Sequence, residues 1–341
     1  MWRFIARPLD RCAIRSACGS VLPSPDGQTH AAEAAELLQR PDFFAPRVDT
    51  ADLKFINKNS FEFPSSVHRE FIATNIVRGR CEFTEGDWRR YPSVIMLHGW
   101  NASLQYQWQF PFWSQLVARA GVNAFRFELP HHMSRTPTEP GAIRNFLSGN
   151  LLHVMQATHQ SLADIRALAL WLREQGSPSV GLWGVSLGAW LAGLAAAHQP
   201  EIDFAALLTP VVRMDRALRD LPFCDSIRDE LRGLDEEFRL LNLVTHAPRL
   251  SPDRMLVVAP ELDQFAPRET IDEFVEAWRP EVWRFQHGHL SVLLASGVMR
   301  RVAKWISRAA ATERDLKDEV CDALIKARRE SSRAGCDTPP A

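Results

Sequence analysis

The spacing of apolar and polar positions changes several times along this chain, and each change marks an element. Ala31, Ala32, Ala34, Ala35, Leu37 and Leu38 predict a short helix over residues 30–39, which Pro41 stops. From residue 51 the text turns to β-like runs at 53–56, 75–83 and 93–97, the last being the first strongly apolar one. A helix is expected over 111–120, with Pro111 in its first turn and Gly121 closing it, and then a strand over 122–129. Leu162, Ile165, Leu168 and Leu172 lie on one stripe of a helix over 161–175. An apolar strand at 180–183, a small-residue helix at 189–198 and a strand at 204–208 follow.

Residues 210–252 give no strand signal but hold charged amphipathic segments at 225–232 and 236–241, so they read as an insertion between strands. The pattern then returns as strand 254–259, helix 268–278, strand 282–286 and helix 290–310. Leu316, Val320 and Leu324 predict one more amphipathic helix, and 331–341 reads as a disordered tail. Strands alternating with helices predict an α/β protein with a mostly parallel, doubly wound sheet. In such a sheet the ligand site lies outside the carboxyl ends of the strands. The expected division is an extension over 1–50, the main domain over 51–312, and a C-terminal helix and tail over 313–341.

Composition narrows the possible ligands. The chain of 341 residues is long enough for a large single core. Its 40 basic and 41 acidic side chains balance to a net charge of −1, which argues against nucleic acid or a polybasic membrane contact. Small neutral or apolar molecules fit better as partners. Six scattered cysteines with no C-x-x-C pair argue against a disulfide framework or a zinc site. The leader carries Arg3, Arg7, Arg11 and Arg15 but no continuous apolar core, so it does not read as a secretory signal; an Arg-rich leader can also be a transit peptide, but Pro8 and Asp10 interrupt it, and a disordered start is expected. No run is long enough to span a bilayer, and a cytoplasmic protein is expected. The oligomeric state stays open.

Chemistry concentrates at three expected strand ends. Residues 180–183 run into Gly184-Val185-Ser186-Leu187-Gly188 and then into a helix, an order that holds the central serine in a strained turn above the sheet edge. The flanking glycines are expected because a Cβ at either position would collide with a neighbouring element. A serine alcohol needs a base to take its proton and an acid to orient that base. Strand 254–259 leads into Glu261, Asp263 and Pro267, and strand 282–286 into His287, Gly288 and His289.

With Ser186, the acid loop and Gly288-His289 in that order, and His98-Gly99 after an early strand, the chain resembles an α/β-hydrolase-fold serine hydrolase over roughly residues 51–310. The resemblance implies a Ser186, Asp263, His289 triad, with Glu261 as the alternative acid and Asp215 ranked behind both. It implies an oxyanion hole made by the backbone N–H groups of Leu187 and Trp100, and a helical lid at 211–250, after the sixth strand. The implied activity is cleavage of an ester or thioester through an acyl-enzyme, with no cofactor and no metal. His98 is expected to be structural, His131 and His132 to line the pocket mouth, and His287 to be a packed histidine and not half of a metal pair. A non-catalytic ligand-binding or interaction protein of the same fold is the alternative.

Overall fold

The computed structural model describes residues 2–18, 30–220, 228 and 235–311. The strands are β1 (Lys54–Asn57), β2 (Ser60–Pro64), β3 (Ile76–Glu82), β4 (Ser93–Leu97), β5 (Asn123–Phe127), β6 (Val180–Val185), β7 (Phe204–Leu208), β8 (Met255–Pro260) and β9 (Glu281–Phe285). The helices are α1 (Trp2–Cys18), α2 (Ala31–Leu38), α3 (Ile72–Asn75), α4 (Ser103–Arg119), α5 (Leu151–Glu174), α6 (Leu187–His198), α7 (Met214–Asp220), α8 (Asp235–Phe238), α9 (Arg268–Trp278) and α10 (Val298–Ala310).

The nine strands among the described residues join in one sheet, ordered β1-β2-β3-β5-β4-β6-β7-β8-β9. The first three are antiparallel to their neighbours, and the strands from β5 across to β9 run parallel. Every residue of β4, β6, β7 and β8 is buried, as expected for strands covered on both faces, and this is why they read as unbroken apolar runs. One core cluster packs α2, α5 and α6 against one face; the other packs α4 and α10 against the opposite face. The sheet is therefore doubly wound, as the sequence predicted.

Several details differ from the sequence expectation. A strand at β2 was not anticipated, although Phe61 and Phe63 alternate with less buried neighbours and pack inward. Because of β2, the insertion follows the seventh strand and not the sixth. Pro111 sits inside α4, which already begins at Ser103, so the carbonyl one turn earlier lacks its usual helical donor. The helix expected over 161–175 starts at Leu151, where the Asn150 side chain accepts the His153 N–H at 3.0 Å and caps it. The helix expected over 290–310 divides into a 3₁₀ turn, Ser291–Leu294, and α10, with Gly297 at φ 79° between them.

The leader is a helix, α1, with Ala6, Asp10 and Ile14 buried, and not a disordered start. In the insertion, the segment at 236–241 forms the end of α8 and a 3₁₀ turn. Of the helix expected at 225–232 only residue 228 is described, and the one expected after residue 312 and the tail at 331–341 lie outside the described residues. Among the described residues no helix is long and apolar enough to cross a membrane.

One buried ion pair fixes the stretch that follows β5. Arg135 Nη2 donates to Asp164 Oδ2 of α5 at 2.9 Å with both side chains fully buried, and Ser65 Oγ donates to the other carboxylate oxygen at 2.6 Å. This holds the strand-end loops on the sheet edge from which the site is built.

Candidate active site

At the end of β6 the chain reverses into α6 through Ser186, which has φ 54° and ψ −114°. A non-glycine residue with that φ is strained, and the surroundings hold it there. Its N–H donates to Leu208 O of β7 at 2.9 Å, and its carbonyl accepts the N–H groups of Ala189 and Trp190, both at 3.0 Å, which starts α6. The glycines on either side are sterically required. A Cβ on Gly184 would lie 2.2 Å from the Gly188 carbonyl oxygen, and one on Gly188 would lie 2.4 Å from that of Leu97. The turn closes only because both are bare.

The neighbouring strands β8 and β9 pair in parallel up to Pro260 and Phe285. Past that point Glu261 N–H donates to Phe285 O at 2.8 Å and Leu262 N–H to His287 O at 2.9 Å, so the two loops leave the sheet side by side. Asp263 and His289 are thereby brought together: His289 Nδ1 lies 2.7 Å from Asp263 Oδ2. On the other side of the ring, Nε2 lies 2.9 Å from Ser186 Oγ. The second carboxylate oxygen of Asp263 accepts the N–H groups of Phe265 at 2.7 Å and Ala266 at 3.0 Å. The Phe265 ring packs 4.4 Å from the imidazole, centroid to centroid.

Burial of His289 disfavours its charged form, but the Asp263 carboxylate, its hydrogen bond and the Asp10 carboxylate together outweigh this and raise its pKa above the ordinary 6.5. The arrangement can take a proton from the serine and stabilise the resulting imidazolium.

Beside Ser186 runs the segment His98-Gly99-Trp100. A methyl on Gly99 would sit 3.4 Å from Ser186 Cβ, so this backbone passes directly against the serine. Leu187 is the first residue of α6, where backbone N–H groups have no intrahelical partner. The space in front of Ser186 and His289 is a mostly apolar cavity of ≈370 Å³, walled among others by Trp100, Leu104, Leu147, Met214 and Phe265.

A model of the alpha/beta hydrolase family matches residues 94–335. The chain belongs to that family. Solved alpha/beta hydrolase structures share its fold at low identity. Acetyl xylan esterase 1 from Thermoanaerobacterium sp. is 18% identical with a TM-score of 0.57, over 88% of this chain and 98% of that one. An acetyl xylan esterase from Paenibacillus sp. is 15% identical with a TM-score of 0.51, over 80% and 92%. An esterase from Pyrococcus furiosus is 17% identical with a TM-score of 0.51, over 78% and 99%. Curated relatives from two strains of Mycobacterium tuberculosis, both uncharacterised proteins, are 29% identical over 189 residues, or 53% of this chain. The match spans 45% of those relatives' length, so this hydrolase-family chain aligns with less than half of each.

The remaining candidates of this alpha/beta hydrolase lie outside the cavity wall. Glu261 lies away from the imidazole, partly exposed, with its carboxylate 3.9 Å from Arg268. Asp215 is held by Arg213 at 2.9 Å and does not approach His289. His98 is fully buried; its Nε2 accepts Leu129 N–H at 3.1 Å, so the ring proton sits on Nδ1 and donates to Gly99 O at 2.8 Å. Both ring nitrogens are used in holding the turn, which is the structural role expected for it.

His131 does not line the mouth of this cavity. It packs 4.3 Å from His153 in a separate cavity of ≈270 Å³. His132 turns inward instead, its Nδ1 donating to Pro130 O at 2.9 Å. The residue the sequence did not bring forward is Asp10. It comes from α1, and its carboxylate accepts the backbone N–H of His289 at 2.8 Å. The only trace in sequence is its place between Ala6 and Ile14 on one helical face, which a hydrophobicity pattern passes over because the middle position is charged.

Proposed function

We propose that this chain is a serine hydrolase that cleaves a carboxylic ester, or a thioester, through an acyl-enzyme. The observation that carries the reading is His289 standing between Ser186 at 2.9 Å and Asp263 at 2.7 Å, in front of a mostly apolar cavity. In the first half of the reaction Ser186 Oγ attacks the substrate carbonyl carbon while His289 Nε2 takes the hydroxyl proton. Asp263 keeps the other ring proton on Nδ1 and stabilises the imidazolium. The carbonyl oxygen becomes an oxyanion, held by the N–H groups of Leu187 and Trp100. When the intermediate collapses, the bond to the leaving alcohol or thiol breaks and His289 returns the proton to it. Water, deprotonated by the same nitrogen, then attacks the acyl-enzyme and releases the acid and a regenerated Ser186.

The cavity wall argues for the acyl part. A mostly apolar lining suits a short or medium acyl chain better than a sugar, so the acetyl xylan for which two fold neighbours are named is not the substrate class proposed here. Val211, Met214 and Ala217 of the insertion contribute to that lining, and we assign the insertion the part of a lid that sets which chains enter.

The test is hydrolysis of p-nitrophenyl esters of graded chain length, together with labelling by a fluorophosphonate. The expected result is turnover by the wild type with a preferred chain length and covalent labelling at Ser186. In Ser186→Ala turnover should fall about 10⁴–10⁶-fold and labelling should vanish. A folded wild type that neither turns over nor labels would make this a non-catalytic binding protein.

A further inference from the structure

A carboxylate with no exposed surface has to be accounted for, because removing its charge from water is costly unless the protein supplies donors. Asp10 is fully buried. Its donors are three backbone N–H groups, and they belong to the two loops of the candidate triad. Oδ2 accepts from His289 at 2.8 Å and from Gln264 at 3.3 Å, and Oδ1 accepts from Leu290 at 3.3 Å. Gln264 follows Asp263 directly. The two loops leave adjacent strands, and the Asp10 carboxylate therefore reaches both.

The fit is close. A Cβ on Gly288 would lie 2.6 Å from Asp10 Oδ2, so the residue before His289 has to be glycine for the carboxylate to reach the His289 N–H. A second observation places the same helix at the site independently: Ala13 and Ser16 of α1 stand in the wall of the cavity that Ser186 opens into. Docking of α1 by itself would need only the buried Ala6 and Ile14. The carboxylate is spent on the backbone of His289.

We infer that Asp10 is a positioning residue of the active site: through the N–H groups of Gln264, His289 and Leu290 it fixes the base loop against the acid loop, which makes α1 part of the catalytic apparatus. This rests on the hydrolase reading above for its catalytic consequence, but not for its geometry. Asp10 does not touch the reacting atoms; it acts on the orientation of the imidazole. It also has an electrostatic effect, since Asp263 and Asp10 are the charged groups that act on His289 and both favour its protonated form.

The experiment compares full-length wild type, Asp10→Asn and Asp10→Ala in three measurements: kcat and KM on the preferred p-nitrophenyl ester, the pH profile of kcat/KM, and titration of the His289 ring by NMR. Misplacement of a catalytic group by about 1 Å costs on the order of 10²-fold. Asp10→Ala is therefore expected to lower kcat roughly 10- to 100-fold with KM nearly unchanged. Asp10→Asn keeps an oxygen that can accept the His289 N–H and should recover part of that loss. It removes the charge, so both the acid limb of the profile and the NMR titration of His289 should move to lower pH.

Wild-type kcat in both variants, with an unmoved His289 titration, would overturn the inference and leave Asp10 as a docking contact for α1. Should Asp10→Ala fail to fold, Asp10→Asn decides: an unmoved His289 titration with wild-type kcat overturns the inference, and a lowered one with reduced kcat supports it. A wild type without turnover or labelling defeats the hydrolase reading instead. The NMR titration then still decides whether Asp10 acts on His289.

Discussion

Replacing Asp263 by asparagine is the perturbation whose outcome the geometry fixes most tightly. The two oxygens of Asp263 have different duties: Oδ1 accepts two backbone N–H groups, at 2.7 and 3.0 Å, while Oδ2 faces His289 Nδ1 at 2.7 Å. An asparagine can put its oxygen in only one of those places. With the oxygen toward Phe265 and Ala266, its NH₂ faces Nδ1, which must then accept, and the ring proton moves to Nε2, where it points at Ser186 Oγ. That tautomer cannot take the serine proton. The flipped amide would restore the base but leave two backbone N–H groups facing an NH₂, at about 1–3 kcal/mol each. A penalty of about 2–6 kcal/mol leaves the competent arrangement down by about 30-fold to 10⁴-fold, and the same substitution in a serine-protease triad costs about 10⁴. The assay is kcat on the preferred ester, with thermal unfolding to show that the protein is intact. Glu261→Gln, which perturbs only a partly exposed contact with Arg268, should stay within roughly twofold of wild type. If Asp263→Asn kept turnover within tenfold of wild type, or Glu261→Gln did equal damage, the assignment of the acid and the tautomer argument would both be wrong.

Further outcomes follow from the same distances. Because Asp263 and Asp10 hold the His289 pKa above 6.5, kcat/KM should fall on acidification with a midpoint above that value; a midpoint at or below 6.5 in a pH–rate profile would contradict the proposed electrostatics. The sign for stability is opposite: the contribution of charged His289 is fully present below its unfolded pKa and is lost as pH rises through the folded one, so activity should rise over the window in which this contribution falls, as denaturant titrations at several pH values would record. Ala13→Trp should fill part of the cavity and move the chain-length preference toward shorter esters, and an unchanged preference would remove α1 from the pocket wall. Arg135→Met leaves Asp164 buried without its cation, which should cost about 3–5 kcal/mol in urea unfolding; a loss below 1 kcal/mol would show that the pair is not desolvated.

Ser186, Asp263 and His289 were legible because each sits at a strand end next to a local signal: a glycine-flanked serine, an aspartate before a helix-opening proline, and a glycine–histidine pair. The parallel sheet was legible for a related reason. Strands buried on both faces have to be apolar at successive positions, and β4, β6, β7 and β8 are. What escaped had no such local mark. β2 is short and shows only Phe61 and Phe63 pointing inward, with Pro64 ending it. α1 contains Pro8 and a buried face with a carboxylate at its centre, so neither propensity nor hydrophobic period favoured it. The start of α4 was placed at Pro111 because proline usually opens a helix, whereas here the chain continues through it. Between Glu261 and Asp263 the sequence offered two carboxylates near one strand end, and only the loop conformation separates them.

The hydrogen bond from His289 to Asp10 joins residues 279 apart in the chain. A ribosome adding about 5–20 residues per second needs roughly 14–56 s to travel between them. Throughout that interval α1 has been made but its docking place has not, and a lone helix of 17 residues with a proline inside it is marginal in water. The candidate site therefore waits on parts made late: β8 and β9 must pair before the two loops exist side by side, and only then can α1, made long before them, dock against both. Until that docking, the N–H groups of Gln264, His289 and Leu290 lack the Asp10 carboxylate, so on the proposed reading the base loop reaches its final setting only when α1 docks.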